Sequence, residues 1–408
     1  MACEFLTMMA SLRYLSSSNK TWLAKSGGRG YSTTLQAIQN AVLINMENFA
    51  YVNMNSDMSV VVGTGATSNE LIDVVGNAGR EITVGFCPGV SVVGATLGGG
   101  LGRLEGLHGL TSDALLSVRM ALWNGTIIEA SNLVTQDLFW GVRGVDQNFG
   151  IIIGALFKTY PTTNRGMQYS SDLNFTADKL EAVLNVPDNL LAPQLDAALA
   201  IAISISPDPI TLGPVIRMII VYAGPFEKGQ EFRKLYSPFS SGFTEQLVAW
   251  TNLTTVAFPD IVAGGLVNGN PHKNLREAVG SLGSLAQQYP SIKKSTIFIE
   301  TFGQKAVKAL PRDYSAFLHR DNEFRNAIVF SVTYSDGAVA DAANYWALEM
   351  RTKFAQPEVS GYDKLQIYQN YAHGDEPLSY LVRLKNKYAP HGFFNGVHAI
   401  SSNLADWS

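Results

Sequence analysis

The sequence predicts an α+β protein of two domains, and three observations carry that prediction. The chain has 408 residues, 46% of them hydrophobic and 16% charged, long enough for more than one domain and apolar enough for a large core. Its texture changes along its length, with short apolar runs between turn residues from 20 to 160 and longer apolar runs separated by amphipathic stretches from about 190 to 355. Its glycines are unevenly placed, nine of the 37 lying between Gly85 and Gly109.

In the first region KTWLAKSG, AVLINM, SVVVGTGA, LLSVRMALW and GTIIEA read as strands. NELIDVVGNAG has Leu71, Val74 and Val75 at helical spacing and Gly79 near its end, a short helix closed by glycine. Residues 165–185 are polar, carry turn signals and read as a boundary. Beyond it QLDAALAIAISIS, PVIRMIIVYAG, KSTIFIETFG and NAIVFSVTYS read as long strands, and ADKLEAVLNV, EKGQEFRKLY and DAANYWALEMRTKF as helices. Long, partly alternating strands suggest an antiparallel sheet with helices on one face. EPLSYLVRLKNKYAP reads as a final helix stopped by Pro390.

Composition removes several functions. A net charge of −4 disfavours an electrostatic nucleic-acid partner, and two cysteines make neither a disulfide framework nor a four-thiolate zinc site. His108, His272, His319, His373, His391 and His398 form no i, i+4 metal pair, so no metal is expected. The first twenty residues lack a basic start before an apolar run, and the stretches 197–205 and 214–222 fall short of the ~18 residues of a membrane helix. Sequons at Asn19, Asn124, Asn174 and Asn252 do not establish secretion. A soluble cytoplasmic protein without a membrane partner is expected from the chain as written. A secreted or vesicular one is expected if a longer N-terminus supplies a leader.

Two glycine-rich loops stand out. Ser26–Gly27–Gly28–Arg29–Gly30–Tyr31–Ser32 follows a predicted strand, and its backbone can turn N–H groups toward one phosphate or simply make a tight turn. It matches neither a P-loop nor G-x-G-x-x-G. The second, VGFCPGVSVVGATLGGGLGRLEGLHGLTSD, contains Gly98, Gly99 and Gly100, a bare backbone on which a flat ligand could lie, with Cys87 eleven residues before it. Such a cysteine is either an inert small hydrophobe or an accessible thiol beside a ligand.

SGGRGYSTTL, GFCPGVSVVGATLGGGLGRLEGLHGLTSD, DLFWGVRGVDQNFGIIIGALFKTYP and YQNYAHGDEP, in that order, resemble the berberine-bridge-enzyme-like flavoproteins of the vanillyl-alcohol-oxidase / p-cresol-methylhydroxylase superfamily, in particular fungal FAD-linked oxidoreductases of secondary metabolism. The resemblance implies an FAD-binding domain of the p-cresol-methylhydroxylase type over 1–165, a substrate domain over 166–358, and a segment 359–408 that returns to the FAD domain. It implies that Ser26, Gly27, Gly28, Arg29, Gly30 and Tyr31 hold the pyrophosphate. Gly94 and Gly98–Gly100 would run past the ring, and Gly150 and Ile152 would contact the cofactor through the main chain. The family carries a further strand and helix ahead of the matched segment, so the N-terminal domain is expected to be shortened.

The chain departs from the family at one attachment point. Many members bind FAD through both a histidine and a cysteine; Arg29 occupies the histidine position here, which excludes the bicovalent form. Cys87 keeps the cysteine position, so a single 6-S-cysteinyl link or non-covalent FAD is expected. Tyr368 is the first candidate for base or hydrogen-bond partner, with Asn370 and Tyr371 beside the flavin. His108 follows as a catalytic or structural histidine, and Glu300, His319 and Arg320 are weaker candidates. The expected reaction moves a hydride from a small alcohol, polyketide or alkaloid to the flavin, with or without oxidative cyclisation, and with dioxygen as electron acceptor. A non-catalytic flavin-fold protein and a cyclase without net redox are the alternatives.

Overall fold

The computed structural model describes residues 2–30, 35, 38–145, 147–188, 195–252, 261–320, 326–363, 365–371, 381–390 and 394. Tyr31, His373, His391 and His398 lie outside the described residues. After helix Ala2–Ser17 the first part contains β1 (Trp22–Lys25), β2 (Val42–Asn45), β3 (Val52–Met54), β4 (Val60–Gly63), β5 (Arg80–Glu81), β6 (Leu115–Ala121), β7 (Ile127–Ser131), β8 (Ile151–Phe157) and β9 (Tyr160–Pro161). β1 and β2 pair in parallel and β5 and β9 antiparallel; the rest form a sheet of order β3-β4-β8-β6-β7.

β8, IIIGALF, is central and covered on both faces, which is why it reads as an unbroken apolar run. Ile152 and Phe157 pack into the main core, while Ile151 and Ile153 face a second cluster with Leu12, Trp22 and Phe394. Helix Ser68–Asn77 is started by a capping box, Thr67 accepting from the Glu70 N–H and Glu70 from the Thr67 N–H. It buries Leu71, Ile72 and Val75, and Gly79, at φ 67°, follows its end.

The second part is a seven-stranded antiparallel sheet: β10 (Met167–Thr176), β11 (Leu199–Pro207), β12 (Pro214–Tyr222), β13 (Gly242–Ala249), β14 (Ile261–Val267), β15 (Thr296–Phe302) and β16 (Asn326–Val332), in the order β13-β10-β12-β11-β15-β16-β14. Helices Phe226–Tyr236, His272–Gln288 and Ala340–Phe354 pack on it. The sheet residues sharing their core include Leu173, Ile201, Ile203, Met218, Ile220, Ile299 and Phe330. Arg217, Ile219, Ala202, Ser204, Phe298 and Glu300 line the opposite, cavity-facing side.

The polar stretch read as a boundary at 165–185 contains β10, a ten-residue strand inside this sheet. Its polarity follows from its place: Asp172 and Asn174 line the cavity, while Leu173 and Phe175 are buried on the other side. Helix His272–Gln288 and strands β13 and β14 were not anticipated either; β14 is IVAGGLV, whose paired glycines conceal a strand pattern. The last described helix lies beside the first part. Helix Val382–Tyr388 stops ahead of Pro390, Lys387 and Tyr388 bond to Asp137 at 2.5 and 2.7 Å, and the buried Lys385 ammonium donates to the Asn148 and Phe394 carbonyls at 3.0 and 3.1 Å.

Candidate functional site

A cavity of about 1250 Å³ lies between the glycine loops of the first part and the open face of the seven-stranded sheet. Its floor is mostly backbone. β1 leads into Ser26–Gly30, all of which line the cavity, and Gly28 adopts φ 66°, a left-handed turn that glycine makes without strain. The Ser26 hydroxyl donates to the Thr64 carbonyl, which also accepts from the Ser91 hydroxyl at 3.0 Å. The Thr64 hydroxyl donates in turn to the Ile152 carbonyl. One residue therefore fastens both glycine loops to the central strand.

The glycine triplet is used differently from an open surface. A Cβ on Gly99, at φ 121°, would stand 2.7 Å from the Phe317 ring, one on Gly100, at φ 80°, would stand 2.5 Å from the Thr111 side chain, and one on Gly98 would overlap Asn370. Close packing against later parts of the chain thus requires all three. Of the triplet only Gly100 lines the cavity, together with its neighbour Leu101; Gly94 and Ala95 line it as well. Gly150 and Ile152 lie at β8, outside the lining. A Cβ on Gly150 would come within 2.7 Å of Met120, and Ile152 reaches the site only through Thr64.

Three side chains of the returning segment enter the cavity. The Tyr368 oxygen accepts from the Leu101 N–H at 3.1 Å and from the Asn370 amide at 2.5 Å, and Asn370 also donates to the Ala95 carbonyl at 2.8 Å. Burial raises the Tyr368 hydroxyl far above its ordinary value, and the two donors only partly offset this. A phenol in that state keeps its proton and donates it, so the geometry favours the hydrogen-bonding half of its expected role.

Tyr371 donates to Oε2 of Glu300 at 2.6 Å. Glu300, on β15, is 5% exposed, and burial pushes its carboxyl up to about 7, with the Tyr371 hydrogen bond opposing the shift. A carboxyl tuned there is half ionised near neutrality and suited to accept a proton. Cys87 also lines the cavity; burial, then the Glu300 charge, push its thiol up to about 11, while Arg29 pulls it down.

His108 lies elsewhere. Its Nε2 is 2.7 Å from Oε1 of buried Glu81, its ring stacks on Tyr160 at 4.0 Å, and Glu81 further accepts from the N–H and hydroxyl of Thr163. This is a clamp between β5 and the chain after β9. His319 places a ring nitrogen 2.7 Å from the Ile367 carbonyl, holding the approach to Tyr368. Arg320 forms a buried ion pair with Asp113 at 2.5 Å that ties the two parts together. Glu300, a minor candidate by sequence, thus stands nearest the centre of the side-chain chemistry. Asp172, Asn174, Ser204 and Arg217 were missed; their only signal was alternation along MQYSSDLNFT, LAIAISISP and PVIRMIIVY.

The cavity exceeds the roughly 300–1,000 Å³ that suits a drug-sized ligand, leaving room for a dinucleotide and a substrate together. The floor residues fit FAD: a backbone-lined turn at Ser26–Gly30 with Lys25 and Arg29 suits a pyrophosphate, and Gly94 and Gly100 permit close approach of a ring. Among the described residues no group of three potential metal ligands converges.

A glycine-lined floor facing an antiparallel sheet is the arrangement of a two-domain α+β flavoprotein. Residues 7–131 match the FAD binding domain family. The chain is 31% identical to the FAD-linked oxidoreductase srdI of Neurospora crassa, over 93% of this chain and 79% of that protein. It is 31% identical to the FAD-linked oxidoreductase azaL of Aspergillus niger, over 89% and 79%. Its fold is similar to that of Physcomitrella patens BBE-like 1, with a TM-score of 0.79 at 20% identity covering 95% of this chain and 88% of that one. It also resembles berberine bridge enzyme from Eschscholzia californica, with a TM-score of 0.78 at 17% identity covering 96% and 87%. The chain belongs to the FAD-linked oxidoreductases, and it is an FAD-dependent oxidoreductase with a fold similar to that of the berberine-bridge-enzyme-like proteins. Among the described residues no helix is long and apolar enough to cross a membrane.

Proposed function

We propose that the protein oxidises a small organic metabolite, an alcohol, polyketide or alkaloid, with Glu300 as proton acceptor. FAD bound on the floor supplies the acceptor for the hydride that leaves the substrate carbon. Glu300 takes the proton from a substrate O–H or N–H, Tyr371 orients its carboxylate, and Tyr368 donates a hydrogen bond from the floor side. The observation that carries this reading is the 2.6 Å Tyr371–Glu300 hydrogen bond inside the cavity, with the carboxyl raised toward neutrality. Dioxygen is the final electron acceptor in this reading, and oxidative cyclisation is one use of the same step.

Anaerobic mixing with a metabolite that turns over should bleach the bound flavin, and re-aeration should restore its colour with release of peroxide. Glu300→Gln should keep the flavin and slow bleaching by about 10²- to 10⁴-fold; bleaching at the wild-type rate removes Glu300 from the role. We further propose a single cysteinyl link at Cys87, supported by its place in the lining and by Arg29 at the family's histidine position. Acid precipitation should leave colour in the pellet of the wild type but not of Cys87→Ala. Flavin released wholly into the wild-type supernatant overturns the link.

A further inference from the structure

We propose that Arg217 binds a carboxylate of the substrate, so that the enzyme acts on an acidic small molecule laid across the sheet with its reacting carbon near Glu300. The inference deepens the function proposed above and rests on Glu300 marking the reacting end. In β12, Ile216, Met218 and Ile220 are buried, while Arg217 and Ile219 line the cavity. Register places Asn174 of β10 across from Arg217 on one side and Ser204 of β11 on the other. A guanidinium fork flanked by an amide and a hydroxyl offers donors to both oxygens of a planar carboxylate.

Among the described residues nothing takes up the Arg217 guanidinium in a hydrogen bond or ion pair. The neighbouring acids carry other hydrogen bonds, although the Arg217 charge also acts on Asp208 and helps to lower its carboxyl. Asp208 accepts from the N–H groups of Ile210 and Thr211 at 3.0 and 2.8 Å, and from the Thr211 hydroxyl at 3.1 Å. Asp172, one diagonal position away, accepts from the Thr244 hydroxyl at 3.4 Å. Lys294, ahead of β15 and on the side away from Glu300, adds a second cation to the cavity wall.

Arg217 and Glu300 sit two strands apart and two residues out of register, a backbone separation of about 12 Å at ordinary sheet spacings. That span fits an extended acid such as a bicyclic aromatic carboxylate. It also keeps the substrate's charge away from Glu300, which must ionise to act.

The test is calorimetric titration of the holoenzyme with 6-(hydroxymethyl)-2-naphthoate and with its methyl ester. The acid should bind at least about tenfold more tightly, a difference of about 1.4 kcal/mol, and added salt should weaken the acid alone. Arg217→Gln should erase the preference with ester binding and flavin content unchanged, and Arg217→Lys should keep part of it. Equal binding of acid and ester, no binding of the acid, or a preference that survives Arg217→Gln overturns the proposal. Glu300→Gln should leave the acid preference intact while slowing bleaching, so failure at Arg217 and failure of the proton-acceptor assignment are read separately.

Discussion

The two sides of the cavity are built from different materials. The floor is backbone, made of the Ser26–Gly30 turn, Gly94 and Gly100 and held in place through Thr64. The facing wall is side chain, with Asp172, Asn174, Arg217, Ser204 and Glu300 projecting from strands of one sheet. Backbone surfaces demand glycine at fixed positions, and so they leave a trace in the sequence whatever the ligand. A wall of side chains constrains only alternation, which leaves the residue types open to change with the substrate. Damage to the floor should therefore remove cofactor, and damage to the wall should remove chemistry or selectivity.

The largest expected loss belongs to neither side alone. Arg320→Ala would leave the Asp113 carboxylate buried without its partner across the junction of the two parts. It should cost about 3–5 kcal/mol of stability, measured by denaturant unfolding. A loss below about 1 kcal/mol would show that the pair does not hold the two sides together. Gly100→Val comes next. It forces a branched side chain into φ 80° against Thr111 and should cost about 2–4 kcal/mol, with FAD content falling in step.

On the wall, Tyr371→Phe removes one hydrogen bond to a partly ionised carboxyl. It should lower kcat/KM by roughly 10- to 100-fold at unchanged FAD content. Lost flavin in this variant would break the division between floor and wall. Thr67→Ala is the control: removing the capping box of helix Ser68–Asn77 should cost about 1 kcal/mol with turnover per flavin unaltered.

What could be read beforehand follows the same division. The strands β1, β2, β4, β6 and β7 are legible from their apolar runs, the helix Ser68–Asn77 from its apolar period and closing glycine, and the two cavity loops from their glycines. The purpose of the triplet was less visible. Gly98 and Gly99 serve packing against Asn370 and Phe317, partners more than 200 residues distant in sequence. β10 was hidden because a strand lining a polar cavity carries polar residues where a strand facing solvent would also carry them. The sequence leaves His108 open between catalysis and structure, because its pairing with Glu81 and stacking on Tyr160 depend on the β5–β9 pairing. Glu300 was one carboxylate on an apolar strand until the fold brought Tyr371 to it.

Three buried groups shape the response of stability to pH. Glu105, pushed up to about 8 by burial, and Glu300, to about 7, both hold protons in the folded chain that the unfolded chain releases near 4.5. Stability should therefore fall as pH rises from about 5 to 7. Above that, Lys385, lowered by burial to about 7, opposes the trend.

The pH dependence of kcat/KM, compared between the wild type and Glu300→Gln at equal flavin content, tests the assignment of the wall most directly. With Glu300 as proton acceptor, the wild-type value should rise about tenfold per pH unit at low pH and level off above about 7. In Glu300→Gln the value should be low throughout and that inflection should vanish. A wild-type profile flat between pH 5 and 8, or an inflection that persists in Glu300→Gln, would contradict the account.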